Sequence, residues 1–338
     1  MARRQIAAMA VLLLTLAVAL WPQDSRAIPT ARESHSVVSN LVVWSPLTPK
    51  HLFVLDGGTA VFRFPLAQDG LPAMQPDSVL YPEGAHDLTG LAVDRVGHVF
   101  VADRDQGTVS EFAAGATGPQ LPISVLYPSQ GGPDRLSIDD SDRLYVHLNS
   151  TQGIAIYAKG ARGHDAPISV VPPYINQEFV TDFVIAKSGT LFVLDMGRSV
   201  ALYFNPLSNP SQPDQLIERD GKFFIFSSTL AMDAETERLY IQFRVGTPKY
   251  WDKVNYDVRP ASGTSAPFAH VPWIFTGDCG QAVVFGTEII KNYLIVSCNY
   301  SNGDVLVYRK DEFGRQRAPV ETVGQETLCC PWELAVGP

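Results

Sequence analysis

Three features of the sequence predict an all-β fold, a six-bladed β-propeller of four-stranded antiparallel blades. An apolar strand recurs at Leu41, Leu91, Leu136, Phe183, Leu230, Ala282 and Leu334, about fifty residues apart each time. Short runs rich in Val, Ile, Phe and Tyr follow each copy, bounded by Gly, Pro, Asp or Asn. Beyond residue 27 no segment shows a sustained apolar pattern at helical period. A four-stranded sheet repeated at this spacing is one propeller blade. Its first strand lies innermost, which suits the small and branched residues of the repeated "LAV".

Second strands are expected at 52–56, 99–103, 144–148, 191–195, 239–243 and 294–298. Third strands follow at 60–64, 108–112, 154–158, 200–204 and 304–308, with a weak copy around "NYDVR" 255–259. Fourth strands read "DSVLYP" 77–82, "PISVLYP" 122–128, "PISVVPP" 167–173, "KFFIFSS" 222–228, "FAHVPWIF" 268–275 and "APVETV" 318–323. The blades then span approximately 41–90, 91–135, 136–182, 183–229, 230–281 and 282–338, within a single domain over 28–338. The final "PWELAVGP" looks like a first strand with no blade after it. Closure is therefore expected from the chain ends, one terminus completing the blade begun by the other, with the order of strands left open.

Residues 1–27 read as a secretory signal peptide. Arg3 and Arg4 precede an apolar run from Ile6 to Trp21, and small residues stand at Ser25 and Ala27, where a signal peptidase cuts. Removing three Arg and one Asp with this segment moves the formal charge from -9 to -11. So acidic a chain is repelled by phosphate backbones and anionic headgroups, which excludes nucleic acid and lipid surfaces as main partners. The mature protein is expected to be secreted or periplasmic, monomeric, and off the membrane once cleaved.

The stretch "GLAVDRVGHVFVADRDQGTVSEF" 90–112 and its partial copy "LSIDDSDRLYVHLNSTQGIAIY" 136–157 resemble the NHL repeat of secreted bacterial β-propellers. The connections "FAAGATGPQLPISVLYP" and "YAKGARGHDAPISVVPP" are similar to the Gly-Ala-x-Gly-x-x-x-Pro-Ile linkers of those proteins. The likeness covers roughly 86–175 well, extends to 245 and fades beyond it. It implies a propeller and often a binding role. No single reaction follows, because the scaffold carries lactonases, lyases and adhesive modules alike.

Candidate chemistry gathers at the face where first strands begin and second strands end. Asp56, Asp103 and Asp195 end second strands there, and a ring of such carboxylates could bind calcium through about six to eight oxygens. Leu148, Phe243 and Cys298 interrupt the ring, so turn capping is the expected role and no cofactor is assigned. Asp94, Asp139 and Asp233 are likewise expected to cap turns at the opposite ends of first strands. Other acids near the mouth are Asp87, Asp182, Asp278 and Glu333, and His86 with Asp87 is the best acid–base pair.

The four cysteines, Cys279, Cys298, Cys329 and Cys330, map to one closing seam and read as disulfides with the pairing open. A fifth-unit insertion brings Arg244, Tyr250, Trp251, Lys253 and Tyr256 together in a candidate binding loop. The resulting expectation is a secreted binding module without catalysis of its own, taking a protein, peptide or carbohydrate. The alternative is a metal-dependent lactonase-like hydrolase at the channel mouth, where a metal would polarise an ester carbonyl.

Overall fold

Strands that converge on an axis need narrow side chains, and strands that spread from it need wide ones. The repeat supplies both. The computed structural model describes residues 40–41, 50–128, 131–149, 151, 153–173, 180–195, 199–218, 229–233, 235–245, 253–260, 269–273, 283–299, 303–310 and 318–338. All of them lie in the compact unit Ser34–Pro338.

The fold is a β-propeller with four-stranded antiparallel blades. The first sheet has six strands, in the order Asn40–Leu41, Pro331–Gly337, His51–Asp56, Ala60–Pro65, Ser78–Pro82 and Gly118–Gln120. Five four-stranded sheets follow. The second runs Leu88–Val93, Val99–Asp103, Thr108–Phe112 and Ser124–Leu126. The third runs Pro133–Ile138, Leu144–Leu148, Gly153–Tyr157 and Ser169–Val171. The fourth runs Val180–Ile185, Leu191–Asp195, Ser199–Tyr203 and Gln215–Glu218. The fifth has Leu230–Asp233, Arg238–Val245, Lys253–Pro260 and Ala269–Trp273, and the sixth Val283–Ile290, Tyr293–Asn299, Asp304–Arg309 and Glu321–Val323. No described helix is long and apolar enough to cross a membrane.

Three strand assignments differ from the sequence reading. The inner strand of the first sheet is Pro331–Gly337, antiparallel to His51–Asp56. Leu41 does not open that sheet as the 41–90 boundary supposed, because Asn40–Leu41 pairs in parallel with Leu334 and Ala335 instead. This two-residue strand approaches the inner strands of all six sheets, which places it on the axis. In the fourth sheet the outer strand is Gln215–Glu218, set against Ser199–Leu202 after the short turn Pro206–Ser208; residues 222–228 lie outside the described residues. In the fifth, the weak copy is an eight-residue strand, Lys253–Pro260.

Packing follows the wedge between neighbouring sheets. Near the axis stand Gly90, Ala92, Gly286 and Ala335, whose size lets inner strands approach. At Gly90 an added Cβ would lie 2.8 Å from the Asp134 carbonyl of the next sheet. Farther out, Phe64, Phe112, Tyr157, Tyr203 and Tyr308 repeat at the end of the third strand, all fully buried, and fill the widening gap.

The outer edges are tied as well. The connection between third and fourth strands reaches back to the preceding sheet. Gly118–Gln120 pairs in parallel with Leu80–Pro82, and Gly163 exchanges hydrogen bonds with Val125 and Tyr127 at 2.7 Å each. Gly118 and Gly163 have φ of 69° and 58°, a left-handed conformation that explains glycine in these connections. Val170 N donates to Asn209 Oδ1 at 3.1 Å, and Gly324 N to the Met74 carbonyl at 2.9 Å, continuing the pattern.

Closure thus depends on one C-terminal strand. Deleting residues 331–338 is expected to abolish the cooperative thermal transition, because Leu334 and Ala335 are fully buried against His51–Asp56. Calorimetry of the truncated chain checks this, and a retained sharp transition contradicts it.

Candidate functional site

The acids expected at the channel mouth divide into two working groups, and neither converges on an open site. Gly90, Arg135, Asp182, Thr229, Gly286 and Glu333 hold one repeat position, each just before the residue that faces the middle of its second strand. A β-bulge precedes or includes this position in five of the six sheets and aims its side chain toward the neighbouring sheet. Asp182 and Glu333 are fully buried, and Arg135 nearly so. Arg135 Nη1 stands 3.3 Å from both Asp182 Oδ1 and Glu333 Oε1. No side chain at Gly90 stands in the way.

These contacts run round the axis. Leu91 N donates to Glu333 Oε2 at 2.8 Å, joining second sheet to first. Thr89 Oγ1 donates to the Pro133 carbonyl at 3.0 Å, joining second to third. Arg135 joins third to fourth, and Leu230 N donates to Asp182 Oδ2 at 2.7 Å, joining fourth to fifth. Thr229 and Thr287 hydroxyls share a 2.6 Å hydrogen bond between fifth and sixth, and Ser297 Oγ donates to the Trp332 carbonyl at 2.6 Å, closing the ring. Burial pushes the Glu333 carboxyl well above the ordinary range, opposed by Arg135 and the Leu91 amide.

The remaining mouth acids cap chain reversals. Asp56 accepts from the Cys329 and Cys330 amides at 3.0 and 2.6 Å, and Asp103 from the His86 and Gln106 amides at 2.8 and 2.9 Å. Asp87 Oδ2 pairs with Arg104 Nη2 at 2.6 Å. His86 and Asp87, the best-placed acid–base candidates in the sequence, have separate partners: His86 meets Asp103 through its backbone, and Asp87 meets Arg104. Beside them Asp134 meets the buried His147, whose Nδ1 is 3.6 Å from Asp134 Oδ2, a pairing across the strands that sequence spacing does not show. Burial raises the Asp134 carboxyl, but His147, Arg135 and Arg104 together hold it below the ordinary value.

At the other face Asp94, Asp139 and Asp233 cap their turns as expected. Each accepts two amides on Oδ1, from Val96 and His98, Ser141 and Arg143, and Glu235 and Thr236. Among the described residues no group of three His, Cys, Asp or Glu is placed to hold a metal ion. Asp278, Cys279, Tyr250, Trp251 and the Asp195 side chain lie outside the described residues. Arg244, Lys253 and Tyr256 are not in one loop but in paired strands, opposite Val254, Val245 and Gln242, because the insertion extends the ladder.

A cleft lies between the second and third sheets on the turn-capping face. It encloses about 150 Å³ and is lined by Val96, Phe100, Ile138 and Leu144, with Asp94, His98, Glu111 and Asp142 among its polar groups. His98 Nδ1 is 3.0 Å from Asp94 Oδ2 and 3.4 Å from Glu111 Oε1. Arg95 and Lys159 are both committed to Asp142, at 2.8 and 2.7 Å, and with the Arg95 hydrogen bonds foremost they bring its carboxyl down to about 2. Glu111 has no such cation. Burial pushes its carboxyl up, with His98 opposing and Asp94 adding.

The matching wedge between first and second sheets is an internal comparison. There Arg63 faces Phe53 where Glu111 faces Phe100, and the enclosed space is only about 10 Å³. Arg63 Nε donates to Asp77 Oδ1 at 2.8 Å. The open, acid-lined wedge is therefore no general consequence of blade geometry.

No protein-family model matches the chain, and no curated protein is similar to it. Among solved structures it is similar to the β-propeller domain of Cps50 (Swd1) from Myceliophteria thermophila, at 10% identity over 91% of this chain and 92% of that one, with a TM-score of 0.52. It is also similar to hydrazine synthase from Kuenenia stuttgartiensis, at 13% identity over 92% of both chains, with a TM-score of 0.51. These likenesses concern the fold alone.

The ring yields a stability test. Arg135→Ala leaves two buried carboxylates facing each other and is expected to cost about 3–5 kcal/mol in urea denaturation at neutral pH. The deficit should shrink as pH falls, because burial already raises the Glu333 carboxyl, and its protonation in the folded state removes the repulsion. A pH-independent loss contradicts this assignment.

Proposed function

We propose that the chain is an exported, six-bladed, NHL-like propeller that works as a protein-interaction module, and that the cleft beside Glu111 receives a basic side chain of its partner. The six-blade reading takes the first sheet as a blade of Pro331–Gly337, His51–Asp56, Ala60–Pro65 and Ser78–Pro82, extended by the axial strand and by the neighbouring connection. Export is supported by the charge and apolar layout of residues 1–27. A net charge of -9 favours basic partners.

One observation carries the choice of site: Glu111 lines an apolar cleft without a hydrogen bond to its carboxylate among the described residues, while the neighbouring Asp142 has two cations. A Lys or Arg stem would lie along Phe100, Ile138 and Leu144 and bring its charged head to Glu111 and Asp94. Val96, 64% exposed at the rim, offers the partner an apolar contact.

The test uses n-butylguanidinium as an arginine mimic and 1-pentanol as its uncharged counterpart, with His98 ring resonances followed by NMR. Saturable shifts are expected for the cation alone, weakened about tenfold by Glu111→Gln through loss of a charge-assisted hydrogen bond. Binding should also fall as pH is lowered and Glu111 takes up a proton, starting above the ordinary carboxylate range because burial raises it. Equal responses to both probes, or none, overturn the proposal.

A further inference from the structure

Cys329 and Cys330 stand as thiols at the turn that leads into Pro331–Gly337, with their sulfurs 2.9 Å apart. A disulfide needs about 2.05 Å, so bonding asks for a closure of less than about 1 Å. The backbone around them is already fixed: both amides donate to the buried Asp56 carboxylate, and Gly57 N returns a hydrogen bond to the Cys330 carbonyl at 3.4 Å. Both residues are partly exposed, so a soluble oxidant can reach them. The Cys329 thiol lowers the Cys330 thiol, against burial and the Asp56 charge, which favours Cys330 as the attacking thiolate.

We infer that Cys329 and Cys330 form a redox modification site, a vicinal dithiol that a low-molecular-weight disulfide converts to an intraturn disulfide. The Cys330 thiolate attacks one sulfur of the external disulfide, forming a mixed disulfide and expelling one thiolate. Cys329 gives up its proton and attacks the Cys330 sulfur, expelling the second thiol. Two cysteine thiols are oxidised, one external disulfide is reduced to two thiols, and no other reactant is needed. The two are then each other's partners, which leaves Cys279 and Cys298 as the remaining pair.

The site sits where it can matter. Asp56 faces Pro331 across a register shift, and Glu333, two residues further along the same strand, belongs to the ring around the axis. An eight-membered ring across the Cys329–Cys330 peptide restricts the turn that delivers this strand.

Peptide mapping of the full-length protein decides the matter. Trypsin cleaves after Lys291, Arg309 and Arg317, so Cys329 and Cys330 share the peptide 318–338 while Cys298 falls in 292–309. After mild reduction and exposure to oxidised glutathione, the peptide 318–338 should be recovered alone, about 2 Da lighter than its dithiol form and resistant to alkylation. Cys329→Ser should trap glutathione on Cys330, and Cys330→Ser should slow adduct formation at Cys329 by about tenfold or more. Cross-linking of 318–338 to 292–309 overturns the inference, as does full alkylation of both cysteines after oxidation.

Discussion

The closed ring of hydrogen bonds around the axis, anchored by Arg135 between Asp182 and Glu333, is the constraint on which the rest of the structure depends. Six sheets that touch only through apolar faces could slide along one another with little change in buried area. Polar groups at one level of every inner strand remove that freedom, since an unmade buried hydrogen bond costs about 1–3 kcal/mol and a stranded charge more. A slip of one residue would strand Glu333 away from Leu91 N, and Asp182 away from Leu230 N. Net stabilisation from the ion pairs is small, because desolvation offsets attraction. Their effect is to fix register.

The ring also explains how the acidic residues are distributed. Carboxylates at inner-strand ends accept amides and set turns, as Asp94, Asp139 and Asp233 do, and those at second-strand ends do the same, as Asp56 and Asp103 do. Those at the ring level meet a guanidinium and amides. Such carboxylates have their oxygens occupied, and a ligand would have to break those bonds to use them. Glu111 differs because it lies on a third strand, clear of both turn and ring, at the position that Arg63 holds in the preceding sheet, while Lys159 in its own wedge is engaged by Asp142. Its position, more than its chemistry, leaves it available.

Much of this was legible in the sequence, for identifiable reasons. Capping aspartates declare themselves locally, since Asp94 serves Val96 and His98 within four residues. Repeat spacing singled out Asp182 and Glu333 as mouth acids but not their buried partner Arg135, because a sequence shows no partner 198 residues away. The meeting of His98 and Glu111 is hidden in the same way: His98 stands just before Val99–Asp103 and Glu111 on Thr108–Phe112, and their approach depends on strand register. The fourth sheet's outer strand was misplaced because "KFFIFSS" is the stronger β pattern, whereas Gln215–Glu218 is selected by its short connection from Ser199–Tyr203. The end strands stayed open since "LAV" occurs at Leu334 and a similar apolar run at Leu41, and only pairing distinguishes them.

That last distinction moves the search for function away from the axis. Asn40–Leu41 runs along the axis and pairs with the strand that bears Glu333. A single strand, Pro331–Gly337, therefore contacts the axial segment on one side and His51–Asp56 on the other, and supplies an acid to the ring. With a strand of the chain on the axis and the mouth acids engaged, the wedge between the second and third sheets offers an open space of about 150 Å³. A propeller closed in this way separates its tasks radially. The centre holds register, the rim is tied by the Gly118 and Gly163 connections, and the wedge between second and third sheets lies between the two.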